Sequence, residues 1–174
     1  MTIQSFFKAL ARFILKPLSF VPALIIMYTI FSFSSQTGTQ SSELSYKVSQ
    51  KIIVTTDKLL DLNLSDTQIN HSIEHIHFYV RKLAHFSEYF LLAVTVAFPL
   101  YVYGVRGIWL TLTAGIFCVG FASLDEFHQR FVAGRGPSPR DVIIDSCGSL
   151  AGIIFTRIVC YIGRKTIFAP LAKK

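Results

Sequence analysis

Residues 125–145 read D-E-F-H-Q-R-F-V-A-G-R-G-P-S-P-R-D-V-I-I-D. This stretch holds four carboxylates, one histidine and three arginines. Long apolar runs stand on both sides of it. Ionisable side chains between apolar runs either sit at a membrane surface or line a cavity inside a helix bundle, because hydrocarbon does not solvate them. The stretch therefore decides the class of fold: a helical membrane protein with a polar centre.

Composition agrees. Hydrophobic residues make up 52% of the 174, charged residues 16%, and the mean hydropathy is +0.50. Soluble domains carry about 25% charged residues. The net charge is +7, but its lysines and arginines are scattered over both termini and every loop. A nucleic-acid face would cluster them on one soluble surface, so no nucleic acid is expected as a partner. Cys118, Cys147 and Cys160 all fall inside apolar runs and show no metal-site spacing, so they are read as small packing residues.

Outward from the polar stretch, the apolar runs predict four spans, about 18–34, 83–103, 108–124 and 142–162, in a single domain covering 1–174. Lys8, Arg12 and Lys16 precede the first. A secretory signal would show a small-residue cleavage pattern and a shorter apolar run, so an uncleaved span is expected there. Residues 35–82 form a polar helical loop. F-S-S-Q-T-G-T-Q-S-S reads as a turn. Leu44, Val48, Ile52 and Leu59 recur at helical spacing and predict an amphipathic helix lying in the interface or on the bundle. Ser65-x-x-Gln68 matches a capping box and starts a helix that continues into the second span. Gly104–Gly107 is a tight connection, and Arg157, late in the fourth span, can snorkel to the interface.

Alternation of four spans places their polar ends on one membrane face: Ser35 and Gln36, His85 and Glu88, Asp125–Gln129, and Arg135–Asp145. Helical phase adds stripes. His85, Glu88, Leu92 and Thr95 share a face, as do Thr111, Gly115, Cys118, Ala122, Asp125 or Glu126, and Gln129. Asp141, Asp145, Gly148, Gly152 and Thr156 form a third stripe, with a small-x-x-x-small contact inside it. Like charges this crowded need cationic partners, and Arg81, Lys82, Arg135 and Arg140 are within reach. Lysine and arginine counts on the two faces tie. The acids of the long loop, and the basic residues that belong to the cluster, tip the balance to cytoplasmic termini and an outward pocket.

The motifs F-S-S-Q (33–36), R-K-L-A-H-F-S-E-Y (81–89), D-E-F-H-Q-R-F-V-A-G-R (125–135) and D-V-I-I-D-S-C-G-S-L-A-G (141–152) occur in order. With these motifs the chain resembles the VanZ-like family of bacterial membrane proteins over nearly its whole length. The resemblance implies a multi-pass protein of the bacterial cytoplasmic membrane, in a family whose founding member is associated with resistance to the glycopeptide teicoplanin. It supplies no established reaction. Asp145 stands where the family often has Asn, which adds a carboxyl to the pocket.

Three functional readings follow. In the first, the pocket binds an amphiphile through Gln36, Arg81, Lys82, His85, Glu88, Asp125, Glu126, Gln129, Arg135, Asp141 and Asp145. Membrane lipids, a lipid-linked cell-wall precursor or a glycopeptide are its candidate partners. In the second, an enzyme uses His85, Glu88, Asp125 or Glu126 in acid–base chemistry on lipid-linked substrates; a serine nucleophile lacks its G-x-S-x-G elbow. In the third, the cluster is a structural network with Asp141 as the N-cap of the fourth span, or part of a small transporter. A transporter would need charges along the bundle axis, where Arg157 alone is found. No cofactor is expected. Asp125, Glu126, Asp141 and Asp145 could meet a hard cation, and His85 or His128 a transition metal. His71-x-x-Glu74-His75 matches an inverted zincin motif, but without a third ligand it reads as coincidence.

Overall fold

The computed structural model describes residues 17–165. Every regular element among them is helical: α1 (Val21–Ser34), α2 (Gly38–Leu60), α3 (Asp66–Val102), α4 (Gly107–Gln129) and α5 (Pro139–Lys165). α3, α4 and α5 are long and apolar enough to cross a membrane. α1 is apolar but shorter, with 14 residues, or about 21 Å at the usual rise per residue. The expected basic residues Lys8, Arg12, Lys16, Lys173 and Lys174 lie outside the described residues.

The core sits among α1, α3, α4 and α5. Ala23 and Ile30 meet Tyr89, Leu92, Ala93, Val96 and Ala97, closed by Leu110, Ala114, Cys118, Ala122 and Ile153. α3 and α5 share the most extensive contact. Their close approach is set by Gly148, which lies against the backbone of Phe86, and by Gly152, which lies against Phe90 and Ala93. Only a hydrogen atom fits at either glycine. Large apolar side chains instead cover the outside, among them Leu112, Ile116, Phe117, Ile154 and Phe155. Such an arrangement is stable where the surrounding medium is lipid.

The loop between the first two apolar segments is more ordered than a run of turn residues predicts. The turn is confined to residues 35–37. Thr37 caps α2 by accepting from the Gln40 amide, and the Gln40 side chain answers to the Thr37 N–H. The same reciprocal pair at Ser65 and Gln68 starts α3, as expected. α3 then runs unbroken for 37 residues. α2 packs against its first half.

The buried face of α2 is polar, and its apolar stripe is exposed, as a helix lying in the interface would have it. Leu44, Val48, Ile52 and Leu59 are exposed, at 47%, 43%, 46% and 78%. Ser45 and Ser49 are buried instead, each donating to the carbonyl four residues back. Serines let the two helices approach closely, while the apolar residues keep a large part of their surface exposed. At the opposite end, Gly104 and Gly107 adopt positive φ (97° and 61°), a region open to glycine at little cost, and this makes the short α3–α4 turn.

Candidate functional site

Four elements deliver polar groups to one end of the bundle: the C-terminus of α1, the middle of α3, the C-terminus of α4 and the N-terminus of α5. The expected convergence is therefore present in space. Its pairings are set by helix rotation.

Ser34 donates to Asp125 Oδ2 at 2.6 Å, and Gln129 Nε2 donates to both Ser34 Oγ (3.2 Å) and Asp125 Oδ2 (3.3 Å). Ser34, not Ser35, thus meets the α4 acid. Ser35 faces His128 at 3.2 Å, and the His128 ring stacks on Phe31 at 4.5 Å. Lys82 pairs with Asp141. Glu126 accepts the Ser138 amide at 2.7 Å and so ties the α4–α5 loop to the helix end. The N-cap of α5 is not Asp141. The helix begins at Pro139, and Ser138 Oγ accepts the Asp141 N–H at 3.3 Å. Asp141 is one turn in, where a carboxylate still meets the positive end of the helix. Arg140 is exposed and makes no ion pair among the described residues.

The third stripe is buried throughout: Asp141, Asp145, Gly148, Gly152 and Thr156 all face inward. The α4 stripe is buried at Cys118, Ala122, Asp125, Glu126 and Gln129. Further along, Leu110 and Ala114 take the places expected for Thr111 and Gly115. On α3, Thr95 donates to its own helix at Leu91 and Leu92, and Tyr89 fills the centre with 0% exposure. His85 and Glu88 do not pair. His85 Nδ1 lies 3.6 Å from Asp145 Oδ1, beyond hydrogen-bond reach. Both Asp145 oxygens and Tyr89 Oη are buried without a hydrogen bond among the described residues. Of the cysteines, Cys118 and Cys160 are buried as expected, whereas Cys147 is exposed.

Beside this cluster lies a pocket of about 210 Å³. Arg81, His85, Glu88 and Arg135 give it an ionisable wall, and Gln36, Ser41 and Ser45 add hydroxyl and amide groups. Leu44, Val48, Val80 and Ala84 make the other side apolar. Arg135 donates to the Phe33 carbonyl at 3.2 Å, which fixes the loop across the end of α1. A backbone bond from Gly38 to Ala133 (3.0 Å) clasps the same loop to α2. Burial, with the Arg81 guanidinium second, pushes the Arg135 pKa below its usual range. Neither arginine is within 4.0 Å of a carboxylate, and the Nε of each is buried without a hydrogen bond.

Ser34 and Tyr89 fall inside the sequence motifs, but they, Ser138 and the α2 serines are not among the site residues that the sequence predicts. Ser41, Ser45 and Ser49 do recur every four residues, a signal that a search for apolar periodicity passes over. No group of three or more His, Cys, Asp or Glu side chains is arranged for a metal ion among the described residues. His71 and His75 share a face of α3, their Nε2 atoms 3.3 Å apart.

A family model described as VanZ/LLP1 matches residues 19–160. The chain belongs to the VanZ/LLP1 family. No curated protein and no solved structure matches it. The family match runs from the start of α1 to residue 160 in α5 and covers every residue of the polar cluster, and it identifies a VanZ-like membrane protein.

Proposed function

We propose that the polar end of this VanZ-like protein binds the anionic headgroup of an amphiphilic envelope molecule at the membrane surface. A lipid-linked cell-wall precursor, a phospholipid or a glycopeptide antibiotic has the required chemistry. In this proposal α1 joins α3, α4 and α5 as a fourth span. The termini are cytoplasmic, the membrane is the bacterial cytoplasmic membrane, and the pocket opens outward. An effect on glycopeptide susceptibility would follow from occupancy of that pocket.

The supporting observation is the pair Arg81 and Arg135. Two guanidiniums share one partly buried wall, and no carboxylate lies within ion-pair distance of either. A phosphate or carboxylate would accept from both forks at once, the strongest form of charge-assisted hydrogen bond. The apolar side formed by Leu44, Val48, Val80 and Ala84 suits the adjoining chain. Gln36, Lys82, Glu88, Asp125, Glu126, Gln129, Asp141 and Asp145 orient this wall rather than neutralise it.

Purified full-length protein in detergent tests the proposal by calorimetric titration with three probes: a short-chain polyprenyl diphosphate, phosphatidylglycerol and a glycopeptide. Binding of at least one probe should fall at least tenfold in Arg81→Ala and in Arg135→Ala, as expected for loss of a buried charge contact worth about 2 kcal/mol or more. Undiminished binding in both variants would refute it.

The approach of His85 to Asp145 favours one second reading, an acid–base site with His85 as proton carrier and the carboxylate orienting it. Consumption of a lipid-linked precursor that is lost in both His85→Gln and Asp145→Asn would establish that reading over simple binding.

A further inference from the structure

The opposite end of the bundle carries a second charged feature that the polar cluster does not use. A groove of about 460 Å³ runs between the α3–α4 turn and the C-terminal half of α5. Arg106, Arg157 and Arg164 line it, with Tyr101, Tyr161 and Ile158. None of the three arginines is ion-paired among the described residues.

The sequence explains why. All ten carboxylates lie between Glu43 and Asp145, and none falls between Tyr89 and Leu124 or after Asp145. On α5, Asp145 and Arg157 are twelve residues apart, about 18 Å along the axis. That exceeds the Debye length of about 8 Å at physiological salt. No acidic side chain of the chain can therefore neutralise this end.

Three further observations describe what the groove would accept. Arg157 Nη1 donates to Thr111 at 3.0 Å, which steers one edge of its guanidinium and leaves the rest of the fork to the groove. Arg106 stacks over the Tyr101 ring at 5.3 Å and occupies the N-cap of α4. It cannot accept a hydrogen bond there, and no side chain caps that helix. The uncapped amides add the positive end of a 23-residue helix to the same side. Trp109, Tyr103 and Tyr161 are exposed at this end by 68%, 42% and 51%. Such a girdle of amphipathic rings marks the level of lipid headgroups.

We propose that this groove is a binding site for the phosphate of an anionic phospholipid, separate from the pocket at the polar end. The arginines meet the phosphate, the tyrosines sit at the glycerol level, and Ile158 meets the first carbons of the acyl chains. Basic pockets between membrane helices hold anionic headgroups by this chemistry.

Native mass spectrometry of the purified full chain tests it, with phosphatidylglycerol or phosphatidylcholine added at equal concentration. Wild type should retain one phosphatidylglycerol per chain at this site, with at least tenfold preference over phosphatidylcholine. Arg106→Gln and Arg157→Gln should each lower that affinity by roughly five- to tenfold, the weight of one arginine at a lipid surface. Lys51→Gln, on the exposed face of α2 at the other end, should leave it unchanged. Should Arg157→Gln fail to fold, Arg106→Gln on the exposed turn decides the matter alone. Equal retention of the two lipids, or loss in Lys51→Gln but not in Arg106→Gln, would overturn the proposal. So would displacement by inorganic phosphate at matching concentration, which would make free phosphate the ligand.

Discussion

Gly148→Ala is the substitution that most directly probes how the polar end is held together. An added Cβ would lie 3.0 Å from the carbonyl carbon of Phe86 and 3.1 Å from its Cα, with the carbonyl oxygen in harder contact still. All three are backbone atoms of α3, so no rotamer change relieves the clash and the helices must part. Overpacking of this kind costs about 1–3 kcal/mol. Against it stands the better helix propensity of alanine, worth about 1 kcal/mol. Gly120→Ala isolates the two effects, because nothing lies within 4 Å of a Cβ there and only the propensity gain applies. The difference between the two variants should therefore equal the overpacking cost, about 1–3 kcal/mol. Thermal unfolding in detergent, followed by exposure of the buried Cys118 and Cys160 thiols, measures it. The wider crossing should also separate His85 from Asp145, one turn nearer the polar end. A Gly148→Ala protein that melts at or above Gly120→Ala would refute the tight crossing and the geometry that depends on it.

Three other substitutions test individual contacts. Asp145→Asn removes a fully buried carboxyl whose oxygens make no hydrogen bond; it should leave the melting temperature unchanged or raise it, because burying an unbonded charge is costly, while headgroup binding falls. Lys82→Ala leaves Asp141 without its partner; chemical unfolding should show a loss of about 1–3 kcal/mol, and Lys82→Ala/Asp141→Asn should recover part of it. Gly38→Ala drives a Cβ into the backbone of Gly134 and should break the clasp between α2 and the α4–α5 loop, seen as faster proteolysis within 130–138 at an unchanged helical content.

The α5 face was legible in the sequence, and for a physical reason. Aspartates and glycines at steps of three and four stand out against isoleucine and leucine. In lipid, small and polar residues turn inward while large apolar ones turn out. The same inversion holds on α2. Leu44, Val48, Ile52 and Leu59 predict a helix lying in the interface or on the bundle; the line buried against α3 is Ser45 and Ser49, and the apolar stripe stays exposed. Pairings were beyond reach for a different reason. One residue along a helix is about 100° of rotation, which separates Ser34, bonded to Asp125, from Ser35, bonded to His128. Likewise His85 and Glu88 share a helix face, but which of them approaches Asp145 depends on how α3 and α5 rotate against each other. Alternation of spans gives the end of the bundle where polar groups meet, not the azimuth of each.

The unbroken length of α3 has a mechanical meaning. Its 37 residues measure about 55 Å, against about 30 Å of hydrocarbon. A large part of the helix therefore stands clear as a post, braced along its side by α2. Arg81, His85 and Glu88 are carried on the same rod, with no proline or glycine between Asp66 and Glu88 to act as a joint. A load on the distal tip near Asn63 would tilt the ionisable wall of the pocket with it. The post is a lever arm whose short end is the polar pocket.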